Sequence, residues 1–218
     1  MGIRVSISRI QNYTPRQIKP DGQRWSTFLR NHMSSIVGVD FFTVPTVTFR
    51  VLYVFIVVQH ERRRVLHFNI TESPMAAWAG QQSVNAFPFV AAPKYLLRDR
   101  DGIYGNEFQL RIGNLGMSGL KTTPRSPWQN PYVERMIGTI RRACLDHMII
   151  FNDRQPHRIL EEFLDHYHRV RSHKSLEDDS PDGREIEDDE ERKAYRFPRL
   201  VDCLTTIRGK RFRTGPFS

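Results

Sequence analysis

The feature that most limits the fold is an unbroken run of eight apolar residues, VLYVFIVV at Val51–Val58. A membrane helix takes about 20 residues, so a run this short and rich in β-branched residues is typical of a buried strand. Two further β-rich runs flank it, SIVGVDFFTV at Ser35–Val44 and VLHFNI at Val65–Ile70, with turns at Pro45 and at His60–Arg64 between the runs. The three runs predict an antiparallel meander.

A helix, a strand and another helix are predicted next. Pro74 opens a segment suited to a helix packed on the sheet. Tyr95–Arg98 has the pattern of a short fourth strand, and Asn106–Ile112 that of a helix ending near Gly113. The apolar residues expected on the buried side of the first of these helices are Ala77, Trp78, Val84 and Phe87.

Two longer helices follow the proline-broken loop KTTPRSPWQNP. Asn130 suits the N-cap of the first and Pro131 its first helical position, so this helix should run to about Leu145. Periodicity predicts the second helix at Pro156–Arg169. The expected buried residues are Val133, Ile137, Ile140 and Cys144 in the first helix, and Ile159, Leu160, Phe163, Leu164 and Tyr167 in the second.

Charge is distributed unevenly along the chain. Lys and Arg outnumber Asp and Glu by 33 to 24, yet ten of the acids fall in one window, EDDSPDGREIEDDEE at Glu177–Glu191, which holds a single base. The rest of the chain carries 32 bases against 14 acids. This excess of positive charge predicts a polyanionic partner, with nucleic acid the leading candidate. The alternative is a basic surface that serves only solubility.

Other classes of protein are disfavoured. Cys144 and Cys203 are too few and too far apart for a disulfide framework or a zinc ribbon, so a reducing interior is expected. The segment MGIRVSISRI has no apolar signal-peptide core, and no apolar run reaches membrane length. We therefore expect a cytoplasmic protein with no membrane partner.

Three acidic residues stand out against their surroundings. Asp40 lies inside the apolar strand IVGVDFFTV, Asp99 follows YLLR, and Glu134 lies in the first turn of its helix. Each has a structural alternative: a hydrogen-bonded core aspartate, a carboxylate paired with an arginine, or an acid favoured by the helix dipole. If the first and fourth strands are neighbours, the three carboxylates converge and require cations. Oxygen-only ligands select Mg²⁺ or Mn²⁺, and two such ions about 4 Å apart clamp the oxygens of phosphodiester displacement.

Four sequence blocks, in this order, carry a resemblance to a known family: VDFFTV, RDRDGIYG, PRSPWQNPYVERMIGTIRRACLDH and YHRVRSH. From Trp25 to Leu176 the chain resembles the integrase-core (DDE-type) transposases of bacterial insertion sequences, which are related to retroviral integrases. The resemblance implies an α/β, ribonuclease-H-like fold with a mixed five-stranded sheet flanked by helices. The predicted order of strands and helices agrees with that fold.

The same resemblance implies that Asp40, Asp99 and Glu134 are the catalytic acids and bind Mg²⁺ or Mn²⁺, as two ions. Asp101 is the alternative second ligand. The 34 residues between Asp99 and Glu134 are about one fewer than is usual in that family. The implied partners are DNA, as element ends and target duplex, and further copies of the chain on that DNA, which implies a place in the nucleoid.

Basic residues near the blocks are the predicted DNA contacts. Arg141 lies seven residues beyond Glu134, on the same helix face, where relatives place a basic residue toward DNA; the alternative is a solvated surface arginine. The other predicted contacts are expected to bind phosphates rather than read bases. They are Lys121, Arg125, Arg142, Arg169 and Arg171.

We predict four regions. Residues 1–24 are a remnant of an N-terminal helix-turn-helix region and linker, 25–176 the catalytic core, 177–191 an exposed acidic linker, and 192–218 a basic tail. The expected function is that of a DNA transposase that cleaves DNA strands and transfers them. The alternatives are a catalytically silent or truncated DNA-binding remnant and a related metal-dependent nuclease.

Overall fold

The computed structural model describes residues 24–88, 91–170 and 180–183. The described residues fall into two compact units, divided between Asn31 and His32. The described part of the first unit is one helix, α1 (Trp25–Asn31), in which the rings of Trp25 and Phe28 stack with centroids 5.5 Å apart. Among the described residues, no helix combines the length and the apolar content needed to cross a membrane.

The described part of the second unit holds five strands and four longer helices. In chain order these are β1 (Ile36–Pro45), β2 (Val51–Gln59), β3 (Val65–Thr71), α2 (Ala76–Asn85), β4 (Tyr95–Arg98), α3 (Asn106–Asn114), β5 (Ser118–Lys121), α4 (Pro131–Ala143) and α5 (Arg154–Val170). Short 3₁₀ turns occur at Met33–Ser35, Gly102–Tyr104, Pro127–Gln129 and Leu145–His147. The predicted strands of the meander agree with β1, β2 and β3 to within one residue at each end.

The strands form one mixed sheet in the order β3-β2-β1-β4-β5. The pairs β1–β2 and β2–β3 are antiparallel, whereas β1–β4 and β4–β5 are parallel. The predicted meander and the five-stranded mixed sheet are therefore confirmed. The first and fourth strands are adjacent in the sheet, as expected. The last pair between these two strands is Gly38 with Leu97, and Asp40 and Asp99 each lie two residues beyond it.

Helices cover both faces of the sheet. One apolar cluster joins Phe42 and Val44 of β1 to the buried faces of α4 and α5, and a second joins Val37 and Val39 to α2 and α3. Successive strand residues point to opposite faces, so Asp40 shares its face with Phe42 and therefore with α4. All the residues predicted to be buried in α4 and α5 are in or against the first cluster.

Two features of the fold differ from the sequence-based expectations. No strand is predicted at β5, because SGLK has no apolar pattern; its backbone pairs with β4 from Tyr95–Ser118 to Arg98–Lys121. The helix expected after Pro74 is present as α2, but its buried residues are Ala79, Gly80, Gln82 and Ser83. Of the residues predicted to be buried, Ala77 and Val84 are half-buried, and Trp78 and Phe87 pack partly buried against the core. Gln82 is accommodated because its Oε1 accepts a hydrogen bond from Asn69 Nδ2 at 2.9 Å.

A short segment after α5 packs against the β2–β3 turn. Arg62 donates hydrogen bonds from Nε to Pro181 O at 2.7 Å and from Nη2 to Ser180 O at 3.0 Å. Arg64 Nε lies 3.2 Å from Asp182 Oδ1. Ser180 and Pro181 are buried, so the prediction of an exposed linker is wrong at these two residues. Residues 1–23 and the predicted basic tail, 192–218, lie outside the described residues.

Candidate active site

The start of α4 lies against β1. Asn130 occupies the N-cap position and Pro131 the first helical position, as predicted, but the Asn130 side chain makes no capping hydrogen bond. Its Nδ2 instead donates to Val39 O at 3.4 Å, next to Asp40 in β1. This bond joins the helix that carries Glu134 to the strand that carries Asp40.

The ends of β1 and β4, the loop after β5 and the first turn of α4 enclose a pocket of about 320 Å³. Asp40, Asp99 and Glu134, from three separate elements, all line this pocket. The complete lining is Asp40, Asp99, Arg100, Asp101, Thr122, Thr123, Pro124, Arg125, Ser126, Asn130 and Glu134. The structure thus brings the three predicted acids to one cavity, which we call the acid pocket.

Asp40 is the most perturbed of these acids. The pKa of its carboxyl is raised to about 7, mainly by burial and also by the nearby charges of Asp99, Glu134 and Asp101, against the lowering effect of a hydrogen bond. That bond is donated by Phe41 N to Asp40 Oδ1 at 2.7 Å. The carboxylates therefore act on one another across the pocket, which is the electrostatic condition under which a cation is stabilising.

Asp99 and Asp101 have different surroundings. Burial raises the pKa of Asp99, opposed mainly by the hydrogen bond that Asp101 N donates to Asp99 Oδ1 at 3.1 Å. Asp101 is exposed, and its Oδ1 accepts a hydrogen bond from Ile103 N at 3.0 Å, which caps the turn at Gly102–Tyr104. Asp101 thus has a local capping role, whereas the Asp99 carboxylate is half-buried in the pocket.

The donor set of the acid pocket fits a hard divalent cation. Its acidic and polar lining offers oxygen ligands and contains neither histidine nor cysteine. Within residues 24–88, 91–170 and 180–183, however, no three His, Cys, Asp or Glu side chains stand close enough together to hold one ion. The carboxylates therefore line a common pocket without forming a closed cage.

The predicted DNA contacts lie in several places. Arg125 is exposed and lines the acid pocket, and Lys121 is exposed at the end of β5. Arg141 donates from Nη2 to Thr43 O at 3.2 Å, and its Cζ lies 5.6 Å from the centre of the Phe42 ring. Arg141 therefore binds β1 and is not a freely solvated arginine.

The remaining predicted contacts do not line the pocket. Arg142 is exposed near the end of α4, and Arg169 Nη2 lies 2.9 Å from Asp165 Oδ1 on the surface of α5. Arg171 lies outside the described residues.

Three polar residues in or near the pocket are not among the site residues predicted from the sequence. Arg100 lines the pocket, and its Nε donates to Thr122 O at 2.9 Å. Arg98 is buried beneath the pocket, and its only sequence signal is its place in the run RDRD. His60 is fully buried near Asn130, and burial lowers the pKa of its imidazole to about 4, opposed by the Asn130 side chain. A histidine in a charged turn gives no sequence signal of that burial.

Solved structures with this arrangement of strands and helices include integrases and a transposase. A chain of the simian T-cell lymphotropic virus intasome in complex with PP2A regulatory subunit B56 gamma superposes with a TM-score of 0.54 at 16% identity, over 64% of this chain and 50% of that one. The catalytic domain of Mos1 mariner transposase gives 0.54 at 16% identity, over 65% and 75%. The HTLV-2 integrase catalytic core domain in complex with magnesium gives 0.51 at 11% identity, over 69% and 94%.

The fold is therefore the ribonuclease-H-like fold of integrase and transposase catalytic cores. Residues 116–181, which include α4, α5 and the start of the docked segment, match the sequence model of the integrase core domain. The sequence similarity to that domain is thus limited to residues 116–181, and the solved structures show the fold. The chain spans half of the simian viral chain that it matches. A comparison with curated proteins gives no sequence match.

Proposed function

We propose that this chain catalyses metal-dependent cleavage and transfer of DNA strands, with Asp40, Asp99 and Glu134 as its catalytic and ion-binding acids. The observation that carries the proposal is the convergence of these three carboxylates, from β1, the end of β4 and α4, on one pocket. The magnesium complex of the HTLV-2 integrase core, which shares the fold, is consistent with a divalent ion here.

The chain's own residues prepare the pocket for that chemistry. Asp40, Asp99 and Glu134 would hold the cation, and Mg²⁺ or Mn²⁺, when bound, supplies Lewis-acid stabilisation of the attacking and leaving oxygens. The Phe41 N–H fixes one oxygen of Asp40, and the Asp101 N–H fixes one oxygen of Asp99. Both carboxylates are thereby oriented before substrate arrives.

Groups on the rim of the pocket are suited to the substrate's phosphates. The hydroxyls of Thr123 and Ser126 already donate to Gln129 Oε1 and Pro124 O. Arg100 and Arg125 contribute positive charge, and Thr122 contributes a hydroxyl group. These donors bind phosphodiester oxygens without reading bases. In the proposed reaction, water hydrolyses a phosphodiester at an element end and frees a 3′-hydroxyl. That hydroxyl then attacks a target phosphodiester in line, forming one P–O bond as another breaks.

The test is an assay of the purified full chain with Mg²⁺ or Mn²⁺ on duplexes that carry the DNA flanking its gene. We expect nicked and joined products from the wild type and none from Asp40→Asn, Asp99→Asn or Glu134→Gln. Since the three acids act as one site, double variants should lose no more than single ones.

Asp101→Asn and Asp165→Asn are the matched controls. Asp101 lies on the pocket rim and caps a turn, and Asp165 is paired with Arg169 on α5. Both variants should keep activity. An active Asp99→Asn with an inactive Asp101→Asn would reverse the assignment of the second acid. Cleavage without joining would indicate a nuclease, and binding without cleavage a silent DNA-binding protein.

A further inference from the structure

Arg98 is the largest of the fully buried side chains among the described residues, with 2% of its surface exposed. It is the last residue of β4 and directly precedes Asp99. Strand alternation directs it to the sheet face covered by α2 and α3, opposite α4. On that face its Cζ lies 5.4 Å from the centre of the Tyr104 ring and 5.8 Å from that of Phe108.

The buried guanidinium has few hydrogen-bond partners. Its Nη1 donates to Asp99 O at 3.1 Å, whereas Nε and Nη2 have no partner within the part of the chain that the structure describes. Burying a cation costs free energy unless negative charge or hydrogen bonds offset the loss of water. The two aromatic faces contribute some of that offset.

The acid pocket holds the carboxylate that is next to Arg98 in the chain, because Asp99 directly follows it and lines the pocket. Burial, and then the charges of Asp40, Asp99 and Asp101, raise the pKa of the Tyr104 hydroxyl, so the ring beside Arg98 lies within the negative field of the pocket. Arg98 directly precedes Asp99, and its Nη1 donates to the Asp99 backbone oxygen at 3.1 Å. A carboxylate and a guanidinium on opposite sides of the sheet edge thus stabilise each other's charged forms.

We propose that Arg98 is a positioning residue whose buried positive charge balances the carboxylates of the acid pocket from beneath the sheet. This inference rests on the proposed function, since it assigns Arg98 a part in the ion binding of the same pocket. Before a cation binds, Arg98 limits the repulsion among the carboxylates and holds the backbone at Asp99. Once a cation binds, the two positive charges compete for the same carboxylates. Removing Arg98 should therefore destabilise the ion-free protein and tighten ion binding.

The first measurement is Mn²⁺ binding by titration calorimetry. Arg98→Met and Arg98→Gln remove the charge, and Arg98→Lys keeps it. Arg111→Met is the matched control, because Arg111 donates to Gln81 on the surface between α2 and α3 and does not line the pocket. We expect the two neutral variants to bind Mn²⁺ roughly tenfold more tightly, because that is the effect of removing one charge at an intermediate effective dielectric constant. Arg98→Lys and Arg111→Met should bind Mn²⁺ as the wild type does. If Arg98→Met does not fold, the Gln and Lys variants make the same comparison.

The second measurement is a double-mutant cycle of urea unfolding in EDTA. Arg98→Gln should lower the unfolding midpoint by less in the Asp99→Asn background than in the wild type, because one partner of the charge pair is already gone. Equal losses in both backgrounds, or equal Mn²⁺ affinities of wild type and the neutral variants, would make Arg98 a packing residue only. If the wild type does not bind Mn²⁺, the proposed metal-dependent function is wrong. The double-mutant cycle, which is measured without metal, would still distinguish a charge-balancing role of Arg98 from a packing role.

Discussion

Gly38 of β1 and Asn130 of α4 approach so closely that a Cβ on Gly38 would lie 2.5 Å from Asn130 Oδ1. The same Cβ would lie 2.5 Å from Val133 Cγ2 and 2.9 Å from His60 Nε2. Gly38 is two residues from Asp40, and Asn130 is four residues from Glu134. The absence of a side chain at Gly38 therefore lets the start of α4 pack directly against β1.

The first prediction follows from that contact. Gly38→Ala must push the start of α4 away from β1, since the atoms it meets belong to buried groups at the interface. We expect a loss of about 1–3 kcal/mol in the free energy of unfolding, as for other overpacked cores, and a larger fractional loss of strand cleavage. Urea denaturation and the cleavage assay would measure both. The control is Gly113→Ala in α3, where a Cβ meets nothing within 4 Å; a similar loss there would show that the effect is not specific to the contact.

The second prediction concerns pH and Asp40. The folded protein holds the Asp40 proton up to a pKa of about 7, whereas the unfolded value is 3.8. The stabilising contribution of the protonated carboxyl is thus complete below pH 3.8 and is lost as the pH rises through about 7. The loss is at most about 4 kcal/mol, at roughly 1.4 kcal/mol for each unit of pKa. In EDTA, unfolding midpoints should fall between pH 5 and pH 8 in the wild type and fall less in Asp40→Asn. A parallel decline in the two proteins would contradict the raised pKa.

The third prediction places the C-terminal boundary of the core. A chain that stops after residue 183 keeps the hydrogen bonds from Arg62 to Ser180 and Pro181, and a chain that stops after residue 176 loses them. We expect the shorter chain to be less stable than the longer one by about 1–3 kcal/mol, the cost of losing two hydrogen bonds from a charged donor. Differential scanning calorimetry would compare them. Arg62→Ala should destabilise the longer chain more than the shorter one; an equal effect on both would show that the bonds to Ser180 and Pro181 do not stabilise the core.

The fourth prediction separates two arginines near the acid pocket. Arg125 is exposed on the pocket wall, so Arg125→Gln should weaken binding to all duplexes alike and reduce the slope of log K against log salt by roughly 0.9. Arg141 is bonded to Thr43 O, so Arg141→Gln should lower the unfolding midpoint more than it changes that slope. Fluorescence anisotropy at several salt concentrations would measure the slopes. Arg158→Gln on α5, where Arg158 pairs with Glu162, is the control and should change neither. An unchanged slope for Arg125→Gln would remove Arg125 from the DNA path.

The sequence by itself determined the strands of the meander and the three acids of the pocket. Strands β1, β2 and β3 have short β-rich runs bounded by turns, and such local patterns fix backbone conformation over a few residues. Asp40 was recognisable because a carboxylate inside an apolar strand is costly without a partner. The helix starting at Pro131 was recognisable from its first residues, and Glu134 from its place in the first turn.

Only the tertiary structure decided the features that depend on long-range contacts. SGLK becomes β5 because β4 offers it a partner, and Gln82 is buried because Asn69 of β3 bonds to it. Arg98 is buried beneath the pocket, and Ser180 accepts a hydrogen bond from Arg62. In both cases the local sequence contains no pattern that predicts the contact. The physical reason is that desolvation and Coulomb interaction depend on distance in space, which a local pattern of side chains does not encode.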